Sequence, residues 1–418
     1  MPELSITRSR RDGSAAPPHC GALLLTLTMS SSLGMVASTI YVPSIPTIAG
    51  ALGTSIARVQ FTFVGYLLAF AASMLVLGPL SDRYGRRRTI ICGLGLSALS
   101  SVICAISPTI EFLTAARVAQ GIGACTGLVV GRAITRQLWG REAAAQAIAG
   151  RAIAATLMQA FAPVLGGYLQ SWFGWRANFA VIALLACAAM VLVIRYVPAS
   201  RAEHPPSLGA GGILAGYRTL LQTRHFLSYA VTAAGSHAGF HIFAAGAPAV
   251  LIVGFGIHPE DYGFYASLPP MGFLVGSFLS NRLTRQLGVD GLIVIGCLVL
   301  LPAVSLMVCL ALLGVAGPFA VVGPMILICC GSGLITPSAT AASLGVNAGI
   351  VGTASGLGSF MQMTAAASAT AALALGPSGS PLMLASVIAL AGVVAVIGYG
   401  TSIPFERRLG HAAMRATT

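Results

Sequence analysis

Long apolar runs broken by short polar stretches set the pattern of this chain. Runs long enough to cross a hydrocarbon layer of ~30 Å lie at residues 21–43, 58–80, 88–107, 111–136, 145–169, 177–197, 224–253, 262–281, 289–313, 317–338, 347–375 and 380–403. Each predicts a membrane-spanning helix, because a helix satisfies all its backbone hydrogen bonds internally. The first run follows Arg8, Arg10 and Arg11 and so imitates a signal peptide. It ends in Tyr41-Val42-Pro43 rather than in a small-residue cleavage site, which favours a retained helix.

Composition agrees with lipid as the main solvent. Of the 418 residues 56% are hydrophobic and 8% charged, against about 25% charged in soluble domains. The 50 Gly suit helices whose backbones approach closely in lipid. The nine Cys form no C-x-x-C motif and read as small packing residues. All 23 basic residues are Arg, which excludes lysine Schiff-base and lysine-nucleophile chemistry.

The net charge of +13 would suit nucleic acid, but its distribution does not. Arg83, Arg86, Arg87, Arg88, Arg136, Arg141, Arg201, Arg218, Arg282, Arg285, Arg407 and Arg408 fall in the tails and alternate loops. The opposite loops hold little beyond Arg58, Arg176 and the acidic Glu260-Asp261. This asymmetry predicts both termini on the cytoplasmic side of the inner membrane. The expected division is a tail at 1–20, a six-helix half at 21–197, a linker at 198–223, a second half at 224–403 and a tail at 404–418.

An internal repeat supports two halves. Gly78-Pro79-Leu80-Ser81-Asp82-Arg83-Tyr84-Gly85-Arg86-Arg87-Arg88 has a weaker copy, Leu279-Ser280-Asn281-Arg282-Leu283-Thr284-Arg285, 199 positions later. Met158-Gln159 is echoed at Met361-Gln362. The first turn resembles the signature loop between spans two and three of the major facilitator superfamily. Arg117-Val118-Ala119-Gln120-Gly121 resembles that superfamily's span-four motif. Ala162-Pro163-Val164-Leu165-Gly166-Gly167 resembles its antiporter motif, with Ala162 replacing the first Gly. Tyr41-Val42-Pro43-Ser44-Ile45-Pro46-Thr47-Ile48-Ala49 and Phe173-Gly174-Trp175-Arg176 are similar to segments of the bicyclomycin/chloramphenicol-resistance exporters, a branch of the twelve-span drug:proton antiporters.

The resemblance implies an all-α membrane protein with twelve transmembrane helices in two pseudo-symmetric six-helix halves, the major facilitator fold. It implies proton-coupled efflux of a small amphipathic drug or metabolite, by a monomer without cofactor or metal. A cytoplasmic gate is implied at Gly78, Asp82, Arg83, Gly85, Arg86 and Arg87, and an antiporter hinge at Pro163, Gly166 and Gly167. The branch's span-one Asp falls on Thr39, so its usual proton-titrating carboxylate is missing.

His237 and His241, one turn apart on span seven, offer a substitute. They are candidates for proton coupling together with Arg117. Passive lining and metal binding remain open, though no further ligand completes a metal site. Tyr41, Tyr66, Gln120, Met158, Gln159, Phe240, Gln362 and Met363 are candidate substrate contacts by polarity or size. A cavity that lacks a carboxylate and holds Arg117 disfavours permanent cations.

Rivals are proton-coupled uptake, dedicated export of one metabolite, a membrane-embedded enzyme and a transport-dead sensor. An enzyme would need a constellation such as paired intramembrane Asp or H-E-x-x-H, and the sequence shows neither.

Overall fold

The computed structural model describes residues 20–139, 141–198, 210–345 and 351–401. The expected tails, with Arg407 and Arg408, and the part of the linker that holds Arg201 lie outside the described residues. Among the described residues there is no β-strand.

Twelve spans are present. The first half comprises Cys20–Thr39, Ile56–Tyr84, Arg86–Ala105, Ile110–Leu138, Arg141–Phe173 and Arg176–Tyr196. The second begins with Arg224–Pro248, which runs on as a wider π-helical turn over Ala249–Gly254. Spans eight and nine share one helical path, Pro259–Leu312. It bends at Gly288, whose φ of 68° is left-handed. Pro318–Gly345, Val351–Ala374 and Pro381–Gly400 complete the set.

Local chemistry explains the breaks. Ser55, Thr109 and Ser380 accept hydrogen bonds from the backbone N–H groups of Arg58, Phe112 and Met383 and so cap spans two, four and twelve. Span one does not stop cleanly. Pro43 and Pro46 open a 3-10 turn at Val42–Ser44 and a short helix at Ile45–Ala51. Gly85 ends span two at a φ of 93°, a conformation that costs Gly no Cβ clash. In the repeat the helix runs on to Gly288, one turn beyond the position equivalent to Gly85. The loop expected at residues 282–288 is therefore mostly helix. The linker also holds a helix, Ala210–Gln222.

Span eleven is the least lipid-like span. Val351–Ala374 is rich in Gly, Ser, Thr and Ala and falls short of the apolarity that marks ten other candidate spanning segments. It packs along spans two and seven, while span five packs along span eight. These two seams join the halves. Small residues suit such seams, because contact in lipid comes from close backbone approach.

Candidate functional site

The bundle has an arginine-rich end, with the turns at Gly85 and Gly288, and an arginine-poor end. The arginine-poor end is closed. Gly167 of span five lies so near span eight that a Cβ there would stand 2.3 Å from the Pro259 carbonyl oxygen. One at Gly263 of span eight would stand 2.5 Å from Val164 Cα and 2.8 Å from the Pro163 oxygen. One at Gly166 would stand 1.7 Å from the Ile40 oxygen. Thus Pro163 and Gly167 pack span five backbone to backbone against span eight, and Gly166 packs it against the end of span one. Gln60 adds a cross-half bond, donating from Nε2 to the Ala245 carbonyl at 3.0 Å.

A cavity lies between the halves, away from this closure. It measures about 190 Å³ and is walled by Met35, Leu128, Phe240, Phe273 and Pro270, with Gln159, His237 and Arg132 among its polar groups. Arg132 also lines a vestibule of about 310 Å³ bounded by Asp82, Arg136, Tyr217, Gly352 and Thr353. The cavity alone is below the usual 300–1,000 Å³ of small-molecule sites, and the vestibule is at the lower end of that range. Arg132 stands at the neck between them.

Most hydroxyls on the wall bond to their own helix or a neighbouring one. Thr156 donates to the Ala152 carbonyl at 3.0 Å, and Ser332 to the Ser236 carbonyl at 3.0 Å and the Ile328 carbonyl at 2.9 Å. His237 Nε2 is buried with no hydrogen-bond partner. Its ring lies 4.9 Å from that of His241, which is 1% exposed and packs against Phe63 across the halves. Only His237 of the pair reaches the cavity wall.

Arg117 is fully buried, and the structure seats it apart from the cavity wall. It donates to the Ala37 carbonyl at 2.9 Å and to Gln120 Oε1, and Gln120 donates to Ser101 Oγ at 2.7 Å. The Tyr41 and Tyr66 rings flank the guanidinium at 4.3 and 4.2 Å. Tyr66 donates its own hydroxyl to the Gly34 carbonyl at 2.6 Å. A buried cation–π contact is worth about 2 kcal/mol and a hydrogen bond to a charge ~1.5–3 kcal/mol. Two of each are of the order of the cost of an arginine in a membrane interior, so no carboxylate is required. Hence Tyr41, Tyr66 and Gln120, expected on the cavity wall, form the walls of an arginine box instead.

Of the other expected contacts, Gln159 and Phe240 line the cavity. Met158 turns outward, Met363 is 5% exposed, and Gln362 donates to Thr340 Oγ1 at 3.4 Å. Thr39, at the position of the absent Asp, donates to the Met35 carbonyl at 3.2 Å.

At the arginine-rich end Asp82 pairs with Arg86 at 3.3 Å. Arg86 also donates to the Ala133 carbonyl and to Gln137 Oε1, each at 3.0 Å, and Arg87 to the Ile194 carbonyl at 2.5 Å. The Ile194 carbonyl lies in the last turn of span six, the negative end of its helix dipole, and Ala133 lies near the end of span four. Asp82 and Gly78 face Gly352 and Thr353, at the start of span eleven, across the vestibule. The Arg83 guanidinium lies 5.5 Å from the Tyr84 ring.

Residues 27–370 match the family profile described as Major Facilitator Superfamily. The chain belongs to the major facilitator superfamily. It is therefore a membrane transporter built from two six-helix halves, as its helices and seams show. It is 26% identical over 390 residues to multidrug resistance protein D of Escherichia coli (strain K12), covering 93% of this chain and 97% of that protein. It is 31% identical over 233 residues to a chloramphenicol resistance protein of Pseudomonas aeruginosa, covering 55% and 54%. An uncharacterized transporter of this superfamily, YdgK of Bacillus subtilis (strain 168), is 30% identical over 266 residues, 62% of this chain and 66% of that one. Among solved structures, a D-xylose-proton symporter superposes with a TM-score of 0.73 at 14% identity, covering 90% of this chain and 97% of that one.

Two intramembrane arginines escaped sequence reasoning. Arg132 and Arg151 both lie inside apolar runs, where an ionisable residue is itself a signal of function. Arg151 is structural. It donates to the Leu27 and Gly131 carbonyls at 3.0 Å each and to the hydroxyls of Ser31 and Thr135, tying span five to spans one and four. Arg132 has no such anchorage.

Proposed function

We propose that the chain exports a small amphipathic molecule across the inner (cytoplasmic) membrane in exchange for protons, with its arginine-rich end in the cytoplasm. The carrying observation is the cavity between the halves, which shares Arg132 with a vestibule at the arginine-rich end, while the Gly167–Pro259 and Gly263–Val164 contacts pack the other end. This is the geometry of a carrier loading from the side that faces its vestibule. The positive-inside rule makes that side the cytoplasm. Relatives named for multidrug and chloramphenicol resistance support export over uptake. With Thr39 in place of an acid, the His237/His241 pair is the titratable group nearest the loading site. Two cations one turn apart repel, so the pair carries one proton at a time. Residues 198–223 tether the halves as they rock.

The test is a growth-protection and accumulation screen with neutral, anionic and cationic amphiphiles in a strain stripped of its own efflux pumps. Protected compounds are then followed in inside-out vesicles. Expression should lower cellular accumulation, and a pH gradient should drive uptake into the vesicles. His237→Gln with His241→Gln should abolish gradient-driven uptake while sparing exchange at zero gradient. Raised cellular accumulation would make the protein an importer. Unchanged gradient-driven uptake in the double variant would route the proton elsewhere.

A further inference from the structure

Arg132 is, among the described residues, the one arginine on the wall of the central cavity, and no carboxylate lines that wall. Among the described residues, no hydrogen bond or ion pair engages its guanidinium. The nearby charges make matters worse, because Arg136 and Arg151 repel it. Asp82 lies farther along the vestibule and is taken by Arg86. An intramembrane guanidinium with five donors and no acceptor is costly. Its neighbours show what pairing looks like, since Arg151 donates to two carbonyls and two hydroxyls, and Arg117 donates to a carbonyl and an amide oxygen between two tyrosine rings.

The remaining free polar groups converge on the same space. The Gln159 side chain forms no hydrogen bond among the described residues, and His237 Nε2 has no partner. The hydroxyls of Ser31, Thr156 and Ser332 on the wall are bonded to backbone carbonyls, and Met35, Leu128, Phe240 and Phe273 supply its apolar faces. We propose that the cavity selects amphiphiles carrying a single carboxylate, with Arg132 forking onto the carboxylate, Gln159 and His237 at its flank, and the apolar body between Phe240 and Phe273. This rests on the transporter reading above and sharpens its substrate class. A planar fork suits a carboxylate bidentately. A cationic ligand would add to an existing positive field with no counter-charge on the wall.

Three isosteres test this: 2-naphthoate, 2-naphthamide and 2-naphthylmethylammonium. Binding to the purified full-length protein is measured by calorimetry, and efflux is measured from proteoliposomes. Naphthoate should bind about tenfold or more tightly than naphthamide, the factor expected for a hydrogen bond to a charge, and the ammonium should not compete. Arg132→Gln should erase the preference by bringing naphthoate affinity down to that of naphthamide in the same variant. Because Arg132 has no partner to lose, that variant should fold, and Arg132→Lys should keep part of the preference. Equal binding of naphthoate and naphthamide, an undiminished preference in Arg132→Gln, or no binding of naphthoate at all would overturn the proposal. Selective binding of naphthoate without any movement across the liposome membrane would leave the anion site standing and sink the transporter reading instead.

Discussion

Gly167→Ala puts a methyl group into the seam that closes the arginine-poor end. Its Cβ would meet the Pro259 oxygen at 2.3 Å, the Pro259 carbonyl carbon at 3.0 Å and Glu260 Cα at 3.1 Å. Ordinary contact begins near 3.4 Å, so the two helices must part by about an ångström. Both colliding groups are backbone, so no side-chain rotation relieves the clash. Overpacking of this kind costs about 1–3 kcal/mol. The cost falls on the state in which the seam is closed and is relieved when spans five and eight separate. At 1.4 kcal/mol per decade, the closed-to-open ratio should drop about 5- to 150-fold. A cysteine at Ala245, buried beneath the same closure, reports the opening through an impermeant maleimide, once exposed Cys92, Cys187 and Cys309 are changed to Ser. Labelling should rise by that factor and flux should fall. Gly150→Ala, on the same helix with nothing within 4 Å of its added Cβ, should change neither. Wild-type labelling in Gly167→Ala would refute the seam as the closure.

Two further outcomes follow from the charged groups. Asp82→Asn should cut flux several-fold with normal expression. Its half-buried pair with Arg86 is worth about 1 kcal/mol or less of stability, so a large loss of flux would come from its proposed gating place opposite the start of span eleven; near-normal flux would remove the gate from the mechanism. Arg117→Lys should lower thermal stability and fail to restore transport, because an ammonium cannot lie flat between the Tyr41 and Tyr66 rings while bonding Ala37 and Gln120; full activity in that variant would show that the box needs only a charge.

The spans were legible because lipid imposes a coarse rule: backbone polar groups must close on themselves over ~20 apolar residues. The rule holds even for span eleven, whose small residues lower its hydropathy but suit its seams. It says little about ends. Nothing in Asn281-Arg282-Leu283-Thr284-Arg285 marks whether a polar stretch is loop or helix beyond the membrane, and there the helix runs on to Gly288. The site was less legible. Of the substrate contacts expected from polarity and size, Gln159 and Phe240 lie on the cavity wall, where His237, expected as a proton carrier, joins them. Tyr41, Tyr66 and Gln120 were misplaced because polarity alone does not say whether a residue turns to a cavity or to a buried arginine. Arg132 does not stand out in the sequence, because it lies only four residues from the end of the fourth run, beside the loop arginine Arg136.

The lone charge of Arg132 also makes the cycle sensitive to voltage. With a carboxylate bound the neck is locally neutral, and the loaded carrier turns outward without moving charge at that point. After release the same residue is an uncompensated cation. A cytoplasm-negative potential then draws the empty site back inward, with up to about 2.3 kcal/mol per 100 mV for a charge crossing the whole field, or about fiftyfold in the equilibrium between the two empty orientations. The membrane potential would thus power the reset of the empty carrier, and the exported anion would leave as the electrical counterpart of that return.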